Sequence, residues 1–388
     1  MHPLSNIPFP GIREKLQSYM EAELIPLEKK EGITPEGHFD RKILQSVWKR
    51  SAELGFYGIN LPPELGGLGL KLTELCILKE DLATMESVLF PHVLGEMGGP
   101  LRVGHILQFA TSYQLEEFFL PVVRGEKACC FALTEANAGS DATGIQTRAI
   151  KEGDDYILNG RKHYITASPF ADFAILMAVT EPDAGAAGVT AFLVDATAPG
   201  YQLQEVDVPM SGQHIEGDIV LTDCRVPAQN ILGQVGQGFT LGMGRINVNR
   251  LLHCPTMIGM AQKLLDLSVA YANERIQFGG PISRFQSIQH MLADMATDIY
   301  ACRSMTMVTA EMADRNEDIR VEAAMCKLKV SESAFSIADK AVQIHGATGL
   351  TKGHPVEWAF RFLRMFRVLT GTSEIQRNTI AKLLVRSK

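Results

Sequence analysis

Apolar residues recur at helical spacing through the first third of the chain. Ile12, Leu16, Tyr19, Met20 and Leu24 fall on one such face, and Ile43, Val47 and Leu54 on another. Residues 55–70 are dense in Gly and Pro and read as a loop between helices. Thr73 then offers a hydroxyl to cap a helix running to Met85. Near Cys129 the pattern shifts to short β-favouring runs separated by turns. Residues 154–166 read as strand, Asn159-Gly160 turn, strand, and 174–179, 190–194 and 218–221 as further strands. From Gly238 the period is helical again, with amphipathic stretches at 255–275, 285–315, 319–345 and 355–368. Pro281 and the glycines at 346, 349 and 353 interrupt them. No internal repeat and no low-complexity segment appears. The order predicts an α+β chain of three domains: helices over 1–128, a β-domain over 129–233 and a helical bundle over 234–388.

Composition narrows the function classes. The 388 residues are 46% hydrophobic and 21% charged, ordinary for a soluble globular protein. A net charge of −7 without a long basic run disfavours nucleic acid as a partner. Seven cysteines with no C-x-x-C pair argue against a disulfide framework or a zinc site, so reduced, buried thiols and no metal are expected. The N-terminus lacks the basic and apolar regions of a signal peptide. No apolar run approaches the ~20 residues a bilayer span needs. The expectation is a cytoplasmic protein without a membrane span. No G-x-G-x-x-G follows a strand, which disfavours a nicotinamide enzyme.

Candidate chemistry starts at 131–141, Phe-Ala-Leu-Thr-Glu-Ala-Asn-Ala-Gly-Ser-Asp. A strand followed by small residues lets a flat aromatic ligand approach the backbone, with hydroxyls and N–H groups for its polar edge. Four more blocks follow: Asn-Gly-Arg-Lys-His-Tyr-Ile-Thr at 159–166, Glu-Arg-Ile-Gln-Phe-Gly-Gly-Pro-Ile-Ser-Arg-Phe-Gln at 274–286, Val-Gln-Ile-His-Gly-Ala-Thr-Gly-Leu at 342–350, and Leu-Thr-Gly-Thr-Ser-Glu-Ile-Gln-Arg at 369–377. In this order they resemble the acyl-CoA dehydrogenase family over nearly the whole chain. Ala136 stands where that family commonly has Pro, Tyr164 where it has Trp, and Ala347 where it has Gly.

The resemblance implies a helical N-terminal domain, a middle β-sandwich or barrel and a C-terminal four-helix bundle, with FAD as cofactor. It assigns Phe131, Leu133, Thr134, Gly139 and Ser140 to the flavin loop, Tyr164 to the flavin face and Thr166 to its edge. Arg275, Gln277, Phe278 and Gln286 would reach a neighbouring subunit's FAD, which implies a homo-oligomer, a tetramer or dimer. Gln343 and Ala347 match positions at the ADP half, and Thr372 and Glu374 positions near the adenine. Ser140, Asn247 and Arg250 match positions that hold the acyl-CoA substrate. An electron-transfer partner is implied as well.

The family's usual chemistry needs a carboxylate that removes the substrate's α-proton while the β-hydride goes to the flavin. The two positions known to carry it hold Thr370 and Asn249 here, and neither side chain is a useful base near neutral pH. Arg250, beside the second slot, could place a positive charge near the substrate. A replacement carboxylate is sought in the segment Glu86…His92…Glu96…Arg102, with Glu96 the first candidate and His92 more readily a packed residue. The expectation is an FAD-dependent oxidoreductase of an acyl-CoA thioester, by α,β-dehydrogenation, enoyl-CoA reduction or β-elimination. Two alternatives stay open: a flavin-binding subunit without its own chemistry in a hetero-oligomer, and a DNA-associated relative, against which the acidic balance counts.

Overall fold

The computed structural model describes residues 10–386. Helix α1 (Pro10–Tyr19) continues through one π turn at Met20–Leu24 into α2 (Ile25–Lys30). After these come α3 (Arg41–Glu53), α4 (Leu72–Thr84) and four short helices, α5 (Phe90–Val93), α6 (Pro100–Val103), α7 (Ser112–Gln114) and α8 (Leu120–Val123). The start of α4 is not capped by Thr73. Lys71 is the N-cap, and the carboxylate of Asp314, a residue distant in sequence, accepts hydrogen bonds from the backbone N–H of Leu72 (2.6 Å) and Thr73 (3.1 Å) and from the Thr73 hydroxyl (2.7 Å). A negative charge at the positive end of the helix dipole replaces the local cap.

The middle unit is a β-sheet domain of eight strands: β1 (Cys129–Ala132), β2 (Arg148–Glu152), β3 (Asp155–Thr166), β4 (Phe173–Val179), β5 (Val189–Asp195), β6 (Tyr201–Glu205), β7 (Glu216–Pro227) and β8 (Ile231–Leu232). The path runs β6-β7-β3-β2-β4-β5-β8, with β1 pairing in parallel with β4. Both faces of β4 are covered. Ala174, Leu176 and Ala178 join the core shared with the helices, while Phe173, Ile175 and Met177 join a second core with Phe118 and Phe119. This explains a continuous apolar run where a one-sided strand would alternate.

Asn159-Gly160 is not a hairpin turn. The hairpin closes at Gly153-Asp154, where Glu152 pairs with Asp155, and β3 runs unbroken through Asn159 with a register shift against β7. The Asn159 side chain is spent across the ladder on Asp223, donating to its carboxylate (3.0 Å) and accepting from its N–H (2.8 Å). Gly160 is there for space, since a Cβ would lie 2.5 Å from Thr147 Oγ1.

The C-terminal helical domain holds α9 (Gly238–Glu274), α10 (Gln286–Asp314), α11 (Arg320–His345), α12 (Pro355–Met365) and α13 (Ser373–Arg386). Helices α9, α10 and α11 pack on one another, α13 against α11, and α4 against α9 and α10. Helix α9 is much longer than the expected 255–275. It spans 37 residues and runs straight through Pro255. An interior proline costs about 3 kcal/mol, yet every residue from Asn249 to Ala261 is buried, and that burial outweighs it. The extra turns carry Arg245, Asn249 and His253 into the centre of the molecule.

Candidate active site

Between the N-terminal helices, the sheet and the start of α9 lies a cavity of about 260 Å³. Phe131, Leu133, Thr134, Tyr164 and Thr166 line one part of it, and Glu96, Asn249, His253 and Thr370 another. The candidate flavin loop, Thr370 and Asn249, far apart in sequence, therefore share one space with Glu96.

Glu135 fixes the wall that carries the candidate flavin loop. Its carboxylate accepts from Lys162 Nζ (2.7 Å), Thr147 Oγ1 (2.6 Å) and the N–H groups of Gln146 (2.7 Å) and Thr147 (3.0 Å). Burial pushes the Lys162 ammonium down to about 8 against the pull of Glu135. The N–H of His163 donates to Thr134 O (2.8 Å), so the strand after Asn159-Gly160 is tied to the loop before Gly139. Tyr164 sits at φ +52, unusual for a bulky residue, and half of it is exposed beside the cavity. A strained, open aromatic next to small-residue backbone suits a planar ring system. Gln213 and Thr256 also line the cavity, and Gln213 Oε1 and Thr256 Oγ1 are buried with no partner among the described residues. The donor set fits a flavin with an acyl group beside it.

Thr370 occupies a pinned turn at φ +56, a genuine outlier for a β-branched residue. The side chain of Gln376 donates to Thr370 O (3.2 Å) and Gly371 O (3.0 Å), and Lys327 Nζ donates to Gly371 O (2.7 Å). These bonds over-determine the turn and hold the Thr370 side chain toward the cavity. Its Oγ1 lies 3.0 Å from His253 Nε2. His253 Nδ1 lies 3.5 Å from Glu96 Oε1, and Glu96 Oε2 accepts from the buried Lys79 Nζ at 2.5 Å. Arg102 Nε donates to the Glu96 backbone oxygen (2.6 Å), and Arg245 Nε to that of Arg102 (2.9 Å).

The electrostatics follow from this packing. Burial would raise the Glu96 carboxyl, but Lys79, the hydrogen bond from His253 and Arg102 together hold it well below the usual carboxylate range. Burial pushes His253 down to about 4. Burial by itself raises Glu216, a half-buried carboxyl on the cavity wall that accepts from Thr166 Oγ1 at 3.3 Å. Burial, then Arg102, pushes Arg245 down to about 9, and its guanidinium lies 4.2 Å from the Phe131 ring centre.

Several expected site residues stand elsewhere. Arg250 is buried but does not line the cavity. Its Nη1 donates to Asn247 Oδ1 (2.9 Å), and burial lowers it from its ordinary value. His92 packs in the core, where its Nδ1 accepts from Trp48 Nε1 (3.0 Å), and Glu86 lines a second cavity of about 560 Å³. Gly139, Ser140, Arg275, Gln277, Phe278, Gln286, Gln343, Ala347 and Glu374 are exposed and outside the cavity, and Asn247 and the half-buried Thr372 also lie outside it. Phe278 is 87% exposed on the two-residue strand pair at 276–281. The sequence reading missed His253 and Glu216. His253 had a signal, being two helical steps of four from Arg245 through Asn249, which puts all three on one face.

Burial of two neutral histidines makes acid stability a test of this packing. His253 is held down to about 4 and His92 to about 3, against 6.5 for a free imidazole. The folded state binds fewer protons than the unfolded one in this window, so stability rises with pH there and is lost as pH falls below 6.5. Urea melts should show a loss on the order of 3 kcal/mol per histidine by pH 4. Equal stability at pH 6.5 and 4.5 would mean that the imidazoles are not buried as described.

The fold and the cavity define a flavin-dependent oxidoreductase acting on an acyl thioester. Family models match the chain in order: acyl-CoA dehydrogenase N-terminal domain over 11–126, middle domain over 130–224 and C-terminal domain over 236–385. The chain belongs to the acyl-CoA dehydrogenase family and uses FAD. It is 37% identical to the caffeyl-CoA reductase-Etf complex subunit CarC of Acetobacterium woodii, covering 97% of both chains. To the mitochondrial short-chain specific acyl-CoA dehydrogenase of Rattus norvegicus it is 34% identical, over 97% of this chain and 90% of the other. The solved butyryl-CoA dehydrogenase of Megasphaera elsdenii superposes with a TM-score of 0.86 at 31% identity, over 97% of each chain. Among the described residues no helix is long and apolar enough to cross a membrane, and no cluster of His, Cys, Asp or Glu could hold a metal ion. All seven cysteines are buried and free.

Proposed function

We propose that the cavity interconverts a saturated and an α,β-unsaturated acyl-CoA, with Phe131, Leu133, Thr134, Tyr164 and Thr166 holding the flavin and Thr370, Asn249, His253 and Glu96 facing the acyl group. The single cavity that joins these two sets carries this reading. Bound FAD supplies the hydride chemistry at Cβ. Tyr164 offers its ring to the flavin face and Thr166 a hydroxyl to its edge. The pinned turn at Thr370 sets what meets the opposite side of the acyl group.

Relatives named as a reductase and as a dehydrogenase both align over nearly the whole chain, so the scaffold supports either direction. The Etf complex in the first name supports an electron-transferring flavoprotein as partner. The exposed strand pair bearing Arg275, Gln277 and Phe278 supports a homo-oligomer in which these residues, with Gln286, reach a neighbour's FAD. Gln343, Ala347, Thr372 and Glu374 complete its nucleotide end, Gly139 and Ser140 its flavin loop, and Asn247, held by Arg250, meets the CoA arm with Ser140. A cytoplasmic setting and the domain limits 1–128, 129–233 and 234–388 belong to the same reading.

The test is to mix FAD-loaded protein anaerobically with a panel of saturated acyl-CoAs, and the photoreduced protein with the matching enoyl-CoAs. Flavin bleaching in the first set or reoxidation in the second is expected. A flavin spectrum that no CoA thioester perturbs would sink the reading.

A further inference from the structure

We propose that Thr370, His253 and Glu96 form a proton relay that serves the substrate's α-carbon in place of the missing carboxylate base. The proposal rests on the acyl-CoA reading above and assigns a role to His253, a residue no base slot predicts.

The contacts are sequential, with His253, Glu96 and Lys79 buried and Thr370 half-buried. Thr370 Oγ1 meets His253 Nε2 at 3.0 Å, His253 Nδ1 meets Glu96 Oε1 at 3.5 Å, and Lys79 Nζ closes the chain on Glu96 Oε2 at 2.5 Å. A hydroxyl, an imidazole and a carboxylate in this order are the parts by which a weakly acidic hydroxyl is made to move protons. The second contact is longer than an ordinary hydrogen bond and holds as an electrostatic contact between ring and carboxylate.

Each group has one workable assignment. Glu96 is ionised, so it accepts and Nδ1 of His253 carries the hydrogen. Nε2 then has a free lone pair, and the Thr370 hydroxyl donates to it. Glu96 is accordingly a poor direct base: its negative charge is already committed to Lys79 and turned toward the imidazole. Its fitting role is to orient His253 and to stabilise the imidazolium. The other charged group facing His253 is Arg102, which with Lys79 opposes its protonation. Phe366 closes the remaining side with an edge contact at 5.6 Å.

When the α C–H bond breaks, its proton goes to Thr370 Oγ as the hydroxyl's own proton passes to Nε2. The electron pair stays on Cα as the thioester enolate, and in dehydrogenation it becomes the double bond as the β-hydride leaves to the flavin. Reduction of an enoyl-CoA runs the same proton back from the imidazolium through the hydroxyl to Cα.

A 3-thia-acyl-CoA isolates the proton step, because sulfur at the β position has no hydride to lose. The holoenzyme is incubated with it in D₂O, and α-deuterium incorporation is followed by mass spectrometry. The wild type is expected to exchange, at a rate flat between pH 5 and 8 because His253 stays neutral and Glu96 charged. His253→Gln and Thr370→Val should each slow exchange by about 10²–10⁴-fold, while Thr370→Ser keeps most of it. Flavin absorbance and melting temperature check that each variant folds and holds FAD, and Thr370→Val decides if His253→Gln does not fold. Exchange at the wild-type rate in either folded variant overturns the relay, as does loss of wild-type exchange below pH 6.5. Flavin bleaching by acyl-CoA that survives both substitutions would leave the oxidoreductase reading standing without the relay. A wild type that binds 3-thia-acyl-CoA without exchange also overturns it.

Discussion

Thr370→Glu is expected to bleach its flavin with a saturated acyl-CoA about 10²–10⁴-fold faster than Thr370→Val, the usual contribution of one general base. The substitution puts a carboxylate into the slot the family uses, on a turn already fixed by Lys327 and Gln376. The backbone at φ +56 is set by that frame rather than by the threonine, and glutamate is no worse there than a β-branched residue. Stopped-flow absorbance at the flavin band, compared at equal FAD occupancy, gives the answer. Equal rates in the two variants with FAD bound would mean that the α-carbon does not face position 370, and the relay would lose its substrate end as well.

The second large effect is on stability. Glu135→Ala should cost about 3–5 kcal/mol in urea unfolding, because it leaves the fully buried Lys162 ammonium without its counter-charge. It also strips acceptors from the Thr147 hydroxyl and from the N–H groups of Gln146 and Thr147. FAD affinity should fall with it, since Lys162 also donates to Leu133 O (3.2 Å) and so fixes the flavin loop directly. Glu135→Gln, which keeps an acceptor, should cost less. A loss under 1 kcal/mol for the alanine variant would show that Lys162 reaches water in the folded state.

Much of this protein is legible in its sequence because it rests on local physics. Periods of 3.6 and 2 placed the helices and strands, and the short blocks at 131–141, 159–166 and 369–377 carried the family and its FAD. That positions 370 and 249 hold no carboxylate was legible too, since Thr370 and Asn249 are read directly from the chain. The errors fell where long-range contacts override local preference. Asn159-Gly160 has hairpin chemistry, but a ladder to Asp223 and a close approach to Thr147 keep the strand straight. Pro255 looks like a helix start, yet burial on every side carries α9 through it. What only the tertiary structure decided is the meeting of Glu96, His253 and Thr370. Glu96, His253 and Thr370 come from three distant segments, and nothing local links them. Folding brings them to one cavity, where the low dielectric around the buried pair makes Lys79 hold Glu96 ionised and keeps His253 neutral.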